Sequence, residues 1–228
     1  LKRLDQKVHD KPKGWHSTWD FGPQDYEESK FTDHVTVTWV TEHLGSEHEN
    51  PFFLAFGFYR PHVPFFPPRR VYDGVGDVQL PLVDDDDWSD IPNAARTASM
   101  NNPKIPTHEW MCEEGRWHEA VRAYLACVRW TDEQLGRVLE ALDKGPHAKD
   151  TIVVLFSDHG YHLGEKQRWS KFSLWERTTH VPLIVCVPDG VKGTTDKPVE
   201  LLSIYPTLID LCGLPKNSKI EGVSLKPL

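Results

Sequence analysis

No apolar run in the 228-residue sequence approaches the ~20 residues needed to span a bilayer, which predicts a chain without a membrane span. Positive charge is also scarce: the formal net charge is −8 with His neutral, and the basic residues are dispersed. No nucleic-acid partner is therefore expected, and an anionic substrate would need a local cationic pocket. The few cysteines, Cys112, Cys127, Cys186 and Cys212, are spaced neither as a metal site nor as a small disulfide scaffold. Internal repeats and low-complexity segments are absent. Hydrophobic residues at 39% and charged residues at 26% exclude a disordered chain. Leu1 to Lys13 is too charged for a signal peptide, so either there is none or the true N-terminus lies upstream. The length predicts a single domain.

What is present reads as an α/β alternation. Residues 1 to 30 are polar and aromatic, broken by Pro12, Gly14, Gly22 and Pro23, and predict irregular surface. A helix is expected from Thr32 to about Leu44 with Val35, Trp39 and Val40 inward, followed by a polar turn over Gly45 to Asn50. Pro51 to Tyr59 is apolar and predicts a buried strand. Pro67 to Pro106 is loop-rich, contains the acidic run Asp84 to Asp87, and shows no core pattern; the acidic run reads as solvated. The clearest helix runs from Glu119 to Leu142, with apolar residues at helical spacing that include Val121, Tyr124, Leu125, Val128, Leu135, Val138, Leu139 and Leu142. Ile152 to Phe156 is an unbroken β-branched run, predicted to be a strand buried on both faces as in a parallel sheet. A second such strand is expected at 183–187 and a helix around 201–211.

Polar residues cluster where the predicted strands end. Ser157, Asp158 and His159 follow the 152–156 run, and Gly160 lets the backbone turn or approach a ligand closely; in open α/β sheets ligands bind at that edge. A carboxylate beside a neutral imidazole can ligate a divalent cation, or the pair can be a structural hydrogen bond. Lys171, flanked by Trp169 and Phe172, is a point charge for an anion or a snorkelling surface residue. His62 follows the other predicted strand, between Pro61 and Pro64, whose rings stiffen the backbone on both sides of it. His162 and His180 are more often packed or surface histidines, and Glu165 and Lys166 fit an exposed, solvated turn. Trp39 and Trp130 sit at helix positions that fit core packing.

Taken together, Ser-Asp-His-Gly-Tyr-His-Leu-Gly-Glu-Lys at 157–166, Trp169-Ser170-Lys171, and His180-Val-Pro-Leu-Ile184 resemble the type I sulfatases of the alkaline phosphatase superfamily. The chain is most similar to the iduronate-2-sulfatase-like branch, and Pro51 to Phe65 resembles the strand and loop that carry a substrate-contacting histidine there. The likeness covers most of residues 30 to 225. It implies an alkaline-phosphatase-like α/β fold, a mixed, mostly parallel sheet flanked by helices, present here as an incomplete part. It also implies a sulfuric-ester hydrolase acting on a sulfated small molecule or glycan. By the same resemblance, Asp158 and His159 match metal ligands for calcium or another divalent cation such as magnesium. His62 and Lys171 match residues that bind the sulfate oxygens and leaving group, with Arg60 and His162 as further substrate contacts. The family habit implies a periplasmic or secreted protein.

Such enzymes use a formylglycine made from a Cys/Ser-x-Pro-x-Arg motif, and none occurs here. The nearest match, Cys186-Val-Pro-Asp-Gly190, has Gly190 where Arg is required; Cys186 lies in an apolar run and reads as a small packed hydrophobe. The paired aspartates of the family's first strand are absent as well. Residues 1–228 are accordingly expected to be the later part of one catalytic domain that needs the N-terminal part of the same protein and is inactive without it. Unpaired sheet edges would follow. Two alternatives share the residues: a phosphodiesterase or phosphonate hydrolase of the same superfamily, and a non-catalytic domain binding sulfated glycans through Lys171, His62 and Arg60.

Overall fold

The computed structural model describes residues 19–84, 86–100 and 105–228. They fall into two compact units: a larger one that runs to Thr151 and resumes at His159–Val181, and a smaller one made of Ile152–Asp158 and Pro182–Leu228. Among the described residues no helix is long and apolar enough to cross a membrane.

The larger unit contains helices α1 (Thr32–Leu44), α2 (Arg69–Asp73), α3 (Asn93–Met100), α4 (His108–Glu113) and α5 (Trp117–Lys144). The long helix α5 packs against α1 and α2. Its buried stripe runs through Ala120, Ala123, Ala126, Cys127, Trp130, Gln134, Val138 and Leu142. The alanines let neighbouring side chains approach closely. Leu125, Val128 and Leu139, expected inward, are exposed. The core beside α5 is aromatic: Trp19, Phe21, Phe65, Met111 and Trp169 join Ala120, Val121 and Cys127. Trp19 meets Phe21 and Trp169 edge to face, with ring centroids 5.8 Å apart in each pair.

Helix α1 has the expected bounds but a different inward face. Asp33, Val37, Val40 and Leu44 are buried, whereas Trp39 is 57% exposed and Val35 is exposed with it. Those two lie opposite Val37 and Val40 on the helical wheel, so one helix cannot bury both sets. Trp130 is buried as expected.

The expectation of irregular surface over the first thirty residues fails where the structure describes them, from Trp19 onward; residues 1–18 lie outside the described part. The segment 20–24 runs parallel to 65–68: Phe65 donates its N–H to Asp20 O, Gly22 to Phe65 O, and Gln24 to Pro67 O, at 2.8, 3.0 and 2.9 Å. Trp19, Phe21, Phe31 and Val71 are all core. Residues 67–106 therefore do contribute to the interior, through Val71 and Trp88.

Pro51–Tyr59 joins no sheet among the described residues, and Phe53 is 81% exposed. A strand needs a neighbour for its backbone N–H and C=O groups, and none of the described segments supplies one. In the smaller unit, β1 (Val153–Phe156) and β2 (Leu183–Cys186) do pair, Val153 opposite Cys186 and Phe156 opposite Leu183. The pairing is antiparallel, not the parallel one expected for this strand, and β1 is half-buried with Phe156 exposed. Helix α6 (Glu176–Thr179), in the larger unit, precedes β2; α7 (Ile204–Leu211) follows it. Val154, Leu183, Val185, Ile204, Leu208 and Leu225 line a small apolar pocket within the smaller unit. Cys186 is exposed on β2 and not packed, and all four cysteines are free thiols.

Candidate active site

The segment from His159 to Val181 is tied together by its own polar groups. Gly160 donates its N–H to Thr178 O at 2.9 Å, and the backbones are so close there that a Cβ on Gly160 would lie 2.1 Å from Arg177 O. His162 donates its N–H to Ser170 O at 3.0 Å, and Gly164 donates to Arg168 O at 2.9 Å. Gly164 has φ 126, and a side chain there would strike the Trp117 ring at 2.9 Å. The Trp117 Nε1–H in turn donates to Leu163 O at 2.7 Å.

The residues after Gly164 are not the solvated turn expected. Lys166 and Gln167 have φ 54 and 52, in the left-handed region that non-glycine residues seldom occupy. Lys166 is anchored by an ion pair with Asp87 and donates to Asp87 O at 3.0 Å. Its ammonium lies 4.9 Å from the Trp175 ring and 5.9 Å from that of Trp88. Glu165 accepts from the Leu163 N–H at 2.7 Å and pairs with Arg177 at 3.3 Å. Asp87 is thus a partner for a cation, not a purely solvated charge.

Lys171 lies in the second half of this segment, half-buried, with no hydrogen bond or ion pair to its ammonium among the described residues. Its backbone neighbours are held on both sides. Tyr161 Oη donates to Trp169 O at 3.4 Å, and burial pushes that phenol well above its ordinary range, keeping it a neutral donor. Arg168 Nη2 donates to Phe172 O at 2.9 Å.

His159 is half-buried, and its Nδ1 lies 2.8 Å from Gly160 O. A carbonyl can only accept, so Nδ1 carries a proton, and in the neutral ring the lone pair falls on Nε2, the form in which an imidazole ligates a metal. Asp158, its neighbour in sequence, is exposed. Among the described residues no group of three or more His, Cys, Asp or Glu is gathered for a metal ion. The carboxylate of Asp158 suits a hard divalent cation and the imidazole is a borderline donor, and two donors fall short of the six to eight oxygens calcium takes.

His62 stands on a separate turn, exposed. Its Nδ1 is 2.8 Å from Val63 O, which again leaves Nε2 as the outward atom; its N–H donates to Tyr59 O at 2.9 Å, and the Tyr59 ring lies 5.3 Å away. No hydrogen bond, ion pair or ring contact joins His62 to Lys171 among the described residues.

Arg60 and His162 are turned inward. Arg60 is 5% exposed; it donates from Nη1 to Asp33 Oδ2 at 2.9 Å and from Nε to Phe66 O at 2.7 Å, and its guanidinium lies 4.6 Å over the Phe31 ring. Asp33, itself 1% exposed, also accepts the Tyr59 N–H at 2.6 Å. His162 is wholly buried, with Nδ1 3.1 Å from Glu165 O and Nε2 3.0 Å from Ser173 Oγ. Burial holds that imidazole below its ordinary pKa range. Sequence reasoning passed over Asp33 and Ser173. Asp33 carried one signal, a carboxylate in the first turn of a helix; Ser173 carried none, because hydroxyls bonding to non-local partners have no characteristic spacing.

The chain has the fold of the alkaline-phosphatase-like α/β class, to which the solved structures that superpose on it belong. The sequence matches the sulfatase family over residues 6–214, and the chain belongs to that family. It is 44% identical over 210 residues to a sulfatase of Formosa agariphila, a match covering 90% of this chain and 41% of that protein. It is 32% identical over 208 residues to iduronate 2-sulfatase of Homo sapiens, covering 72% of this chain and 36% of that one. The chain thus spans about two fifths of the length of the curated relatives it matches. Among solved structures, a phosphonate monoester hydrolase from Silicibacter pomeroyi superposes with a TM-score of 0.75 at 20% identity, covering 93% of this chain and 46% of that one. A structure solved with its substrate D-glucosamine-2-N,6-O-disulfate gives a TM-score of 0.69 at 22% identity, covering 86% of this chain and 51% of that one. At those identities the structures establish the fold alone.

Proposed function

We propose that this chain contributes the leaving-group side of a sulfuric-ester hydrolase acting on a sulfated sugar or another alkyl sulfate. The observation that carries the reading is Lys171: a half-buried ammonium without a hydrogen-bond or ion-pair partner among the described residues, in a loop whose backbone is fastened on either side, within a sulfatase family motif. Such a cation, held in place before the substrate arrives, stabilises charge developing on a sulfate oxygen. His62, with Nδ1–H committed to a carbonyl, presents Nε2 to the departing oxygen and, when protonated, hands it a proton. Asp158 and His159 Nε2 would hold a divalent cation, calcium or magnesium, with other ligands from elsewhere in the protein; when bound it would supply Lewis acidity toward the sulfate. The nucleophile, a formylglycine by family resemblance, is likewise supplied from outside these residues. Arg60 and His162 are left out of the substrate contacts, since their polar atoms are already used in the interior. The names of the relatives, iduronate 2-sulfatase among them, favour a sulfated sugar as substrate.

The test compares nitrophenyl sulfate with a nitrophenyl phosphodiester, using the full-length gene product. The sulfate is expected to be the better substrate, with its turnover lost on chelation, restored by calcium or magnesium, and impaired by Asp158→Asn. A preference for the phosphodiester would transfer the site to phosphoryl chemistry, for which the same cations are suited. His62→Ala should slow alkyl sulfates by about 100-fold while leaving aryl sulfates with good leaving groups within a few-fold, the range general acid catalysis supplies. Equal losses on both would remove the proton-donor role.

A further inference from the structure

His162, a buried imidazole in the same loop, makes contacts that bracket the proposed sulfate-binding lysine. Its backbone N–H donates to Ser170 O at 3.0 Å, directly before Lys171. Its ring reaches Ser173 Oγ at 3.0 Å, two residues after Lys171, while Ser173 N–H donates to Lys171 O at 2.8 Å. The opposite ring nitrogen faces Glu165 O at 3.1 Å, which fixes the proton on Nδ1 and makes Nε2 an acceptor. Ser173 Oγ–H therefore donates to the ring. Thr178 Oγ1, 2.9 Å from Ser173 Oγ, donates onward to the carbonyls of Ser173 and Trp175, each at 2.9 Å. Thr178 is buried, and its own carbonyl accepts from Gly160.

We infer that His162, through Ser173, is a positioning residue that holds the Lys171 ammonium where the sulfate oxygens bind. The inference rests on the sulfatase reading of Lys171 and adds a residue that does not touch substrate. An imidazole suits the task because its two nitrogens are fixed in direction and, when neutral, one donates while the other accepts. It thereby spans a carbonyl at one end and a hydroxyl at the other. Without the ring acceptor, the Ser173 hydroxyl would have only Thr178 to bond to, and the 171–173 turn would keep its ties to Arg168 and Thr178 but lose the one that links it to the buried imidazole. A displacement of about 1 Å in a charge-stabilising group lowers rates by up to ~100-fold.

The test is a double-mutant cycle on the full-length gene product with nitrophenyl sulfate. Ser173→Ala, a small deletion, and His162→Asn, which keeps a donor near Nδ1 but removes the ε-nitrogen acceptor, are each expected to lower kcat/KM by about 10- to 100-fold. His162→Gln, which can place an amide oxygen near Ser173, should restore part of the loss. The deciding measurement repeats Ser173→Ala and His162→Asn in a Lys171→Ala background. If they act through the lysine, they should cost less than about two-fold there. Full losses persisting without the lysine would make His162 and Ser173 merely structural and overturn the inference. If Lys171→Ala alone leaves kcat/KM unchanged, the sulfate-clamp reading fails first and the inference with it, an outcome distinguishable from the persistence of full losses. Should His162→Asn fail to fold, Ser173→Ala decides the matter alone.

Discussion

Gly160→Ala should destroy the sulfatase activity proposed for the full-length protein, with kcat/KM falling at least about 100-fold. The added methyl would stand 2.1 Å from Arg177 O and 3.0 Å from its carbonyl carbon, both backbone atoms that cannot swing aside as a side chain would. Either Gly160 or α6 must move, and the N–H of Gly160 then leaves Thr178 O. Overpacking of this kind costs about 1–3 kcal/mol and more where the backbone is the obstacle. The functional cost exceeds the thermal one because His159 adjoins the clash and Lys171 sits inside the segment it would open. Gly136→Ala is the control: beyond its own helix backbone, no described atom lies within 4 Å of a Cβ there, inside α5. That substitution should leave activity intact and stabilise the helix by about 0.4–1 kcal/mol. Activity, thermal unfolding and hydrogen exchange over 159–181 would be measured for both. Wild-type turnover by Gly160→Ala would show that the loop's closure is not needed for the chemistry.

The second large effect is expected from Asp33→Ala, with a loss of about 3–5 kcal/mol, the range for removing one partner of a buried ion pair. Arg60 would keep its charge in a site only 5% exposed, with Phe66 O as a remaining acceptor and an aromatic ring beneath. The Tyr59 N–H would lose its acceptor too. For a chain of this size the fall corresponds to roughly 10 °C in Tm. Because Tyr59 O accepts the His62 N–H and the Tyr59 hydroxyl donates to Val63 O, the same change should loosen the His62 turn. Reaction of alkyl sulfates should therefore suffer more than the lost stability explains. An unchanged Tm would mean that the pair contributes no net stability.

These two residues mark what could and could not be read in the sequence. Local features came through: α1 and α5 end within a few residues of their expected limits, and both β-branched runs are strands. The family motif at 157–171 was legible because its chemistry is contiguous. What failed was non-local. The inward face of α1 was misjudged because Val35, Val37, Trp39 and Val40 are all apolar, and only the neighbouring elements decide which are covered. Arg60 looked like a substrate contact because nothing local revealed that Asp33, in the first turn of α1, would neutralise it. Lys166 looked solvated for the same reason, its partner Asp87 lying far away in sequence. The expected strand at 51–59 shows the limit from the other side: a strand's existence depends on a neighbour, and its own residues cannot supply one.

The bond from Gly160 N–H to Thr178 O also bears on the order in which the chain can assemble. Residues 157–182 separate the paired ends Phe156 and Leu183, so β1 can meet β2 only by closing a loop of that length. With Gly160 and Thr178 already joined, the free connection shrinks to a few residues on either side of the bond. Each halving of a flexible loop lowers the closure cost by about 0.6 kcal/mol. Early consolidation of the 159–181 loop would thus act as a clasp that makes the later strand pairing entropically cheaper, and slippage of the clasp would be felt as slow folding of the sheet.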